Sequence, residues 1–231
     1  MRSEAIMDTI GKVRENLIER LGDSLKCLLL YGSWAKGSAR KDSDIDLLAI
    51  FENVDAEVRK TLSDLSWMDD REITIVTCTM EEFQKEKIPL YTAIKQEGKV
   101  IWGGANLLLS PDPPGVKYAE FFKRSQEFES RKVEMAEWLL ERGFLSSIPE
   151  YCFVVAKHAI QAALAMKGEG YSSKMAVLLP LARDKFGEKF AAAFKKLFDL
   201  YFRTDYGLES PSEEEAVAAI GNAREILKVY G

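Results

Sequence analysis

Two short groups of residues have the types and spacing that phosphate and metal chemistry requires. The first is Gly32-Ser33, which follows directly on the apolar run Leu25–Tyr31. A glycine lets backbone approach a ligand closely. The N–H groups at the start of a helix that follows such a strand, with the Ser33 hydroxyl, form an anion site. The second group is Asp44-Ile45-Asp46. Side chains two apart on a strand share a face, so both carboxylates stand together while Ile45 and Leu47 face the core. Two parallel carboxylates repel each other and are costly to desolvate. A divalent cation removes that cost, and magnesium takes one or two carboxylates and completes its shell from phosphate oxygens. Two such ions about 3.5–4 Å apart activate an attacking oxygen and stabilise a leaving one. Alone, Gly-Ser reads as a turn and Asp-x-Asp as an exposed strand edge. Together, each at the end of an apolar strand, they point to phosphoryl or nucleotidyl transfer.

The elements that must position these groups follow from periodicity. Ile6, Ile10, Val13, Leu17 and Leu21 recur at helical spacing and Gly22 stops the helix. Residues 25–31 and 45–51 read as buried strands, 54–66 as a helix, and the β-branched run 73–78 as a third strand. Residues 80–96 read as one or two helices broken near Pro89, and 99–102 as a last short strand. Gly103-Gly104 and the proline-rich stretch 110–115 then punctuate the chain, because proline fixes φ and removes a donor. Beyond it the strand signal ends. Residues 121–142, 150–167, 173–186, 188–201 and 212–230 all read as helices. Mixed α/β followed by all-α predicts two domains, 1–108 and 116–231, with 109–115 as linker.

Composition narrows the partners. The 231-residue chain is 47% hydrophobic and 30% charged, as ordinary globular proteins are. It has a net charge of −5 and no basic stripe, which argues against long nucleic acid as a partner. No apolar run reaches the roughly 18 residues that cross a bilayer. The first residues open into an amphipathic helix rather than a signal core, so a cytoplasmic protein is expected. Cys27, Cys78 and Cys152 lie far apart among apolar neighbours and read as buried thiols.

Gly32-Ser33, then Asp44-Ile45-Asp46 after a basic, glycine-containing loop, resembles the DNA polymerase beta superfamily of nucleotidyltransferases. The similarity is strongest to the minimal nucleotidyltransferases and to antibiotic nucleotidyltransferases, and covers roughly residues 10–102. The resemblance implies an α+β domain, a small mixed sheet flanked by helices. It also implies that Gly32 and Ser33 hold a nucleoside triphosphate and that Asp44 and Asp46 bind magnesium, two ions, with manganese as a substitute. The family uses a third carboxylate in a V-D-[IVL]-V-T pattern. Here the run is Ile73-Thr74-Ile75-Val76-Thr77, so Thr74 stands at the expected aspartate. Either Glu72, two residues earlier on the same face, supplies the base, or the third carboxylate is absent and the domain binds nucleotide but transfers poorly. Asp69 and Asp70 read as the preceding turn. Lys36, Arg40 and Lys41 either contact phosphate tails or form a solvated loop face. Tyr31 and Trp34 either stack on a base or pack in the core.

The second half resembles the HEPN helical domain, mainly through the tract at 201–207 and the final helix. Ribonucleases of that family carry Arg, four to six residues, then His. Arg203 is present but no histidine follows before Ser210, which argues against that activity. Arg203 and Asp205 are expected to form an ion pair, and His158, on an alanine-rich helix, to be structural. The helical bundle is expected to wall a substrate cleft or to form a homodimer interface. The resulting expectation is an enzyme that transfers a nucleoside monophosphate, AMP from ATP, to an unidentified hydroxyl acceptor. The alternatives are a catalytically weak nucleotide-binding module or toxin–antitoxin-type component, and a nucleic-acid polymerase.

Overall fold

The computed structural model describes residues 2–40 and 43–231. The chain divides into two compact units, Met1–Pro111 and Asp112–Gly231. The first is a five-stranded mixed sheet between helices. Its strands are β1 (Leu25–Tyr31), β2 (Ile45–Phe51), β3 (Trp67–Met68), β4 (Arg71–Thr79) and β5 (Lys99–Gly103), in the order β3-β4-β2-β1-β5. β2 and β4 are parallel; the other neighbours are antiparallel. β2 is central and buried on both faces, which is why it reads as a continuous apolar run after Asp46.

Alternation along the strands creates two cores. Leu28, Leu30, Leu47, Ala49, Phe51 and Ile73 pack on one face against Ile6, Ile10, Val13 and Leu17 of α1 (Arg2–Leu21) and Val58 of α3 (Ala56–Asp64). Cys27, Leu29, Leu48, Ile50 and Cys78 pack on the other face against Phe83 of α4 (Met80–Gln84) and Tyr91 and Ile94 of α5 (Pro89–Glu97). α3 starts at Asp55, whose carboxylate accepts from Val58 N at 2.9 Å. α4 starts with a capping box between Thr79 and Glu82.

Strand β3 is absent from the sequence reading. It is only two residues long and pairs with β4 through a turn at Asp69 and Asp70, both with positive φ (52° and 58°). Two consecutive left-handed residues make the hairpin turn whose twist matches its strands. Asp69 is further tied to α1 by Lys12 at 2.8 Å and Thr9 Oγ1 at 2.9 Å.

The second unit is all helical. A short α6 (Pro114–Lys117) falls partly inside the stretch read as linker; proline at its start needs no N–H there. α7 (Ala119–Glu141), α9 (Met175–Phe186), α10 (Glu188–Gly207) and α11 (Glu213–Leu227) pack around α8 (Ile148–Met166). α8 is buried along most of its length, and its alanines 156, 159, 162 and 163 let neighbouring helices approach closely. α10 runs six residues beyond the helix expected at 188–201. Phe198, Phe202 and Tyr206 recur every four residues, Phe202 stacking on Tyr206 and meeting Phe198 at a tilt, and Leu208, with φ 55°, closes the helix. Among the described residues no helix is long and apolar enough to cross a membrane.

Candidate active site

The end of β1 and the start of β2 meet because the two strands are antiparallel, with Tyr31 opposite Asp46. The chain turns from β1 into α2 (Gly32–Lys36) at Gly32, whose φ is 69°. A Cβ on Gly32 would lie 2.1 Å from Asp46 Oδ2, so only glycine fits against that carboxylate. Gly37, also left-handed at φ 72°, ends α2, and Ser38 N donates to Ser33 O at 3.0 Å. The loop then folds back. Arg40 N donates to Ser43 Oγ at 2.8 Å, and the Trp34 indole N–H donates to Ser43 O at 3.2 Å. These bonds hold the residue just before Asp44 beside α2.

Asp44 is exposed and Asp46 half-buried. Burial, and secondarily the neighbouring Asp44, push the Asp46 carboxyl above its ordinary value. A cation between the two would relieve both causes. Among the described residues no group of three histidine, cysteine or acidic side chains could hold a metal. Two carboxylates fit magnesium, which takes its remaining oxygens from water and phosphate; they would not make a closed site for zinc.

β4 brings its first residues to the same end of the sheet. Asp46 pairs with Thr74 and Ile45 with Ile73 in the parallel register. Thr74 therefore stands beside Asp46, where the resemblance called for a carboxylate. Glu72 lies one register step further out, level with Asp44, on the face shared by Asp46 and Thr74, and is exposed. Asp70 lies in the hairpin turn and Asp69 is occupied by Lys12 and Thr9.

The basic residues are placed differently from one another. Lys36 is paired with Glu97 at the end of α5. The Arg40 side chain is exposed. Lys41 lies outside the described residues. Trp34 packs on the core with α1, and Tyr31 on the core with α4 and α5.

Residues 15–105 match the family described as Polymerase beta, Nucleotidyltransferase. The first unit is a polymerase beta–type nucleotidyltransferase domain. Residues 130–231 match the HEPN domain, so a HEPN domain follows the nucleotidyltransferase domain. Among solved structures, a spectinomycin adenyltransferase from Enterococcus faecialis, determined with ATP and spectinomycin, is similar at 13% identity and a TM-score of 0.51. The match covers 96% of this chain and 98% of that one, and shows a common fold along both domains. A nucleotidyltransferase-like protein from Exiguobacterium sibiricum matches at 12% identity and a TM-score of 0.43, over 96% of this chain and 74% of that one. A toxin–antitoxin structure with AMP-PNP matches at 17% identity and a TM-score of 0.31, over 58% of this chain and 97% of that one. No curated protein matches the sequence.

In the HEPN domain, Arg203 is ion-paired as expected of it, but not to Asp205. Its partners are Glu215, at 2.6 Å in the first turn of α11, and Glu209 at 3.6 Å. Asp205 is two positions along α10 from Arg203, and residues two apart on a helix do not face each other. His158 Nδ1 lies 2.9 Å from Oε1 of the buried Glu129, which also accepts from Lys132 at 3.1 Å. That is a structural histidine between α7 and α8. All three cysteines are buried, and burial pushes their thiols up to about 11 for Cys27 and about 12 for Cys78 and Cys152. They are kept protonated and poorly nucleophilic.

Proposed function

We propose that the nucleotidyltransferase domain transfers AMP from ATP to a hydroxyl acceptor. The observation that carries this reading is the contact of the Gly32 backbone with the Asp46 carboxylate, which brings an anion-accepting helix start against a carboxylate pair. The Gly32 and Ser33 N–H groups and the Ser33 hydroxyl bind phosphate oxygens. Asp44 and Asp46 would hold magnesium, which would supply charge neutralisation for the transferred phosphoryl group. Arg40, exposed on the loop, contacts the phosphate tail; Lys36 can do so only by leaving Glu97.

In the transfer, the acceptor oxygen forms a bond to the α-phosphorus as the bond to the bridging oxygen breaks. Pyrophosphate leaves with that electron pair. The hydroxyl proton passes to Glu72, which is exposed and therefore open to solvent for its release. A fold relative that holds ATP and spectinomycin is consistent with a nucleotide and a small acceptor in one site.

Radiolabelled ATP with magnesium and a panel of small alcohols tests this reading. Label should appear in one acceptor and disappear in Asp44→Asn and Asp46→Asn. Unchanged labelling in both variants would exclude the site. A second reading, a module that binds nucleotide without turnover, is favoured by one observation: Thr74 rather than a carboxylate pairs with Asp46. Calorimetry showing ATP–magnesium binding with no product for any acceptor would select it.

A further inference from the structure

Trp67 is a large apolar side chain left uncovered on the sheet face that carries Asp46. Trp67 pairs with Glu72 across the β3–β4 hairpin. Residues directly opposite on paired strands share a face, and Glu72 shares its face with Thr74 and Asp46. Trp67 therefore lies on that face as well. Met68, the next residue, packs on the opposite core, as alternation requires. Helices α4 and α5 cover the far half of this face, over Leu48, Val76 and Cys78. The near half, with Asp46, Thr74, Glu72 and Trp67, is left to solvent in varying degree, and Trp67 is 63% exposed.

A single exposed apolar residue needs no explanation by itself. Trp67 differs in its support and its place. Its hairpin is fastened at the turn by Asp69 to Lys12 and Thr9, and at the strand start by Ile73 N donating to Ser66 O at 2.9 Å. The indole thus stands on a fixed strand and not on a loop tip. It is two strands across and two residues along from Asp46, about 12 Å at the usual strand spacing and rise.

The side of approach follows from the sheet order. β1, with Gly32-Ser33 at its end, and β4 flank β2 on opposite sides. With the leaving phosphates on the β1 side, an in-line attack brings the acceptor from the β4 side. We propose that Trp67 binds the acceptor: its indole takes the apolar C–H face of a saturated ring whose hydroxyl is the attacking group. This rests on the transfer reading above and adds the class of acceptor and the residue that selects it.

The test compares wild type, Trp67→Ala and Trp67→Phe with labelled ATP and magnesium. The acceptors are myo-inositol, glucose and spectinomycin, with glycerol and serine as open-chain controls. The expected result is a ring acceptor whose KM rises about tenfold in Trp67→Ala, near 1.4 kcal/mol, and recovers in Trp67→Phe. KM for ATP should be unchanged. A rise in the KM for ATP instead assigns the ring to the nucleotide and overturns the inference. So does equal use of the open-chain alcohols, or an unchanged acceptor KM. If no alcohol is labelled, fluorescence titration with the same rings in the presence of AMP-PNP and magnesium decides. Quenching that is lost in Trp67→Phe supports the inference; no Trp67-dependent quenching overturns it. Calorimetry with AMP-PNP and magnesium alone keeps the two readings apart. Intact nucleotide binding with failed ring binding removes only the acceptor assignment, and absent nucleotide binding removes the transfer reading itself.

Discussion

Gly32 and Asp46 are packed so closely that a Cβ on the glycine would lie 2.1 Å from the carboxylate oxygen. Gly32→Ala must therefore displace Asp46, and it also strains a backbone at φ 69°, at a cost of about 1–3 kcal/mol. Calorimetry should show ATP–magnesium affinity falling on the order of tenfold or more, with the circular dichroism spectrum retained. Ser33→Ala removes one hydroxyl and leaves the turn, so it should cost about 0.5–1.5 kcal/mol in the same titration. Equal effects of the two substitutions would mean that the glycine contact does not organise the site.

The raised proton affinity of Asp46 makes a prediction about stability and pH. Burial first, then Asp44, hold its folded value above the ordinary 3.8. The native state keeps a proton that the unfolded chain gives up. The group's contribution is therefore complete below the unfolded value and is lost as pH rises through the raised folded value. At neutral pH without divalent metal, Asp46→Asn should melt at a higher temperature than wild type. The difference should shrink in acid, where the wild-type carboxyl is protonated. It should also shrink with magnesium, which stabilises the wild type by about 2.7 kcal/mol at a hundredfold excess over its dissociation constant. Thermal unfolding across pH, with EDTA and with magnesium, measures this. A difference indifferent to both variables would contradict it.

Thr74 stands where the resemblance implies a carboxylate, and Glu72 lies two residues earlier on the same face. Thr74 pairs with Asp46, while Glu72 lies level with Asp44. If Glu72 receives the acceptor proton, Glu72→Gln should lower the transfer rate by on the order of 100-fold, within the usual range for general-base catalysis. ATP affinity should hardly change. Thr74→Asp should then partly restore transfer in the Glu72→Gln background, because a carboxylate beside Asp46 is nearer the reacting centre. Single-turnover measurements separate these effects from product release. A Glu72→Gln enzyme with wild-type rate would move the base elsewhere.

These residues also show how far a sequence can be read. Asp44, Asp46 and Gly32 announced themselves because strand alternation and a strand-to-helix glycine leave marks at fixed short spacings. The place of Thr74 was implied by the resemblance, whose carboxylate pattern falls on Ile73–Thr77, and the parallel register sets it beside Asp46. Strand β3 was not legible, since two residues carry no period. With it went Trp67, whose position depends on a cross-strand pairing that only the hairpin defines. Lys36 illustrates a different limit. Its type and loop position suit phosphate, but its pairing with Glu97 joins residues distant in sequence. The partner of Arg203 was missed for a similar reason: Glu215 comes close only because α11 folds back along α10.

The buried pair Glu86 and Lys95 was likewise invisible in the sequence. Lys95 Nζ lies 3.1 Å from Glu86 Oε1, with both side chains fully buried. Lys95 also donates to Gln84 O at 3.0 Å and Leu108 O at 2.8 Å. Glu86 accepts from Thr92 Oγ1 and from Ser110 N, each at 2.6 Å. One ion pair therefore fastens the connection between α4 and α5 to residues 108–110, where the chain leaves the nucleotidyltransferase domain. Lys95→Met would strand a buried carboxylate and leave two carbonyls short of a donor. Breaking such a pair from one side costs about 3–5 kcal/mol, whereas replacing both members with apolar residues can be nearly neutral. Denaturant unfolding of Lys95→Met, Glu86→Leu and the double variant should show the double variant more stable than either single one. Costs that simply add, within about 0.5 kcal/mol, would mean that the two side chains do not act as a pair.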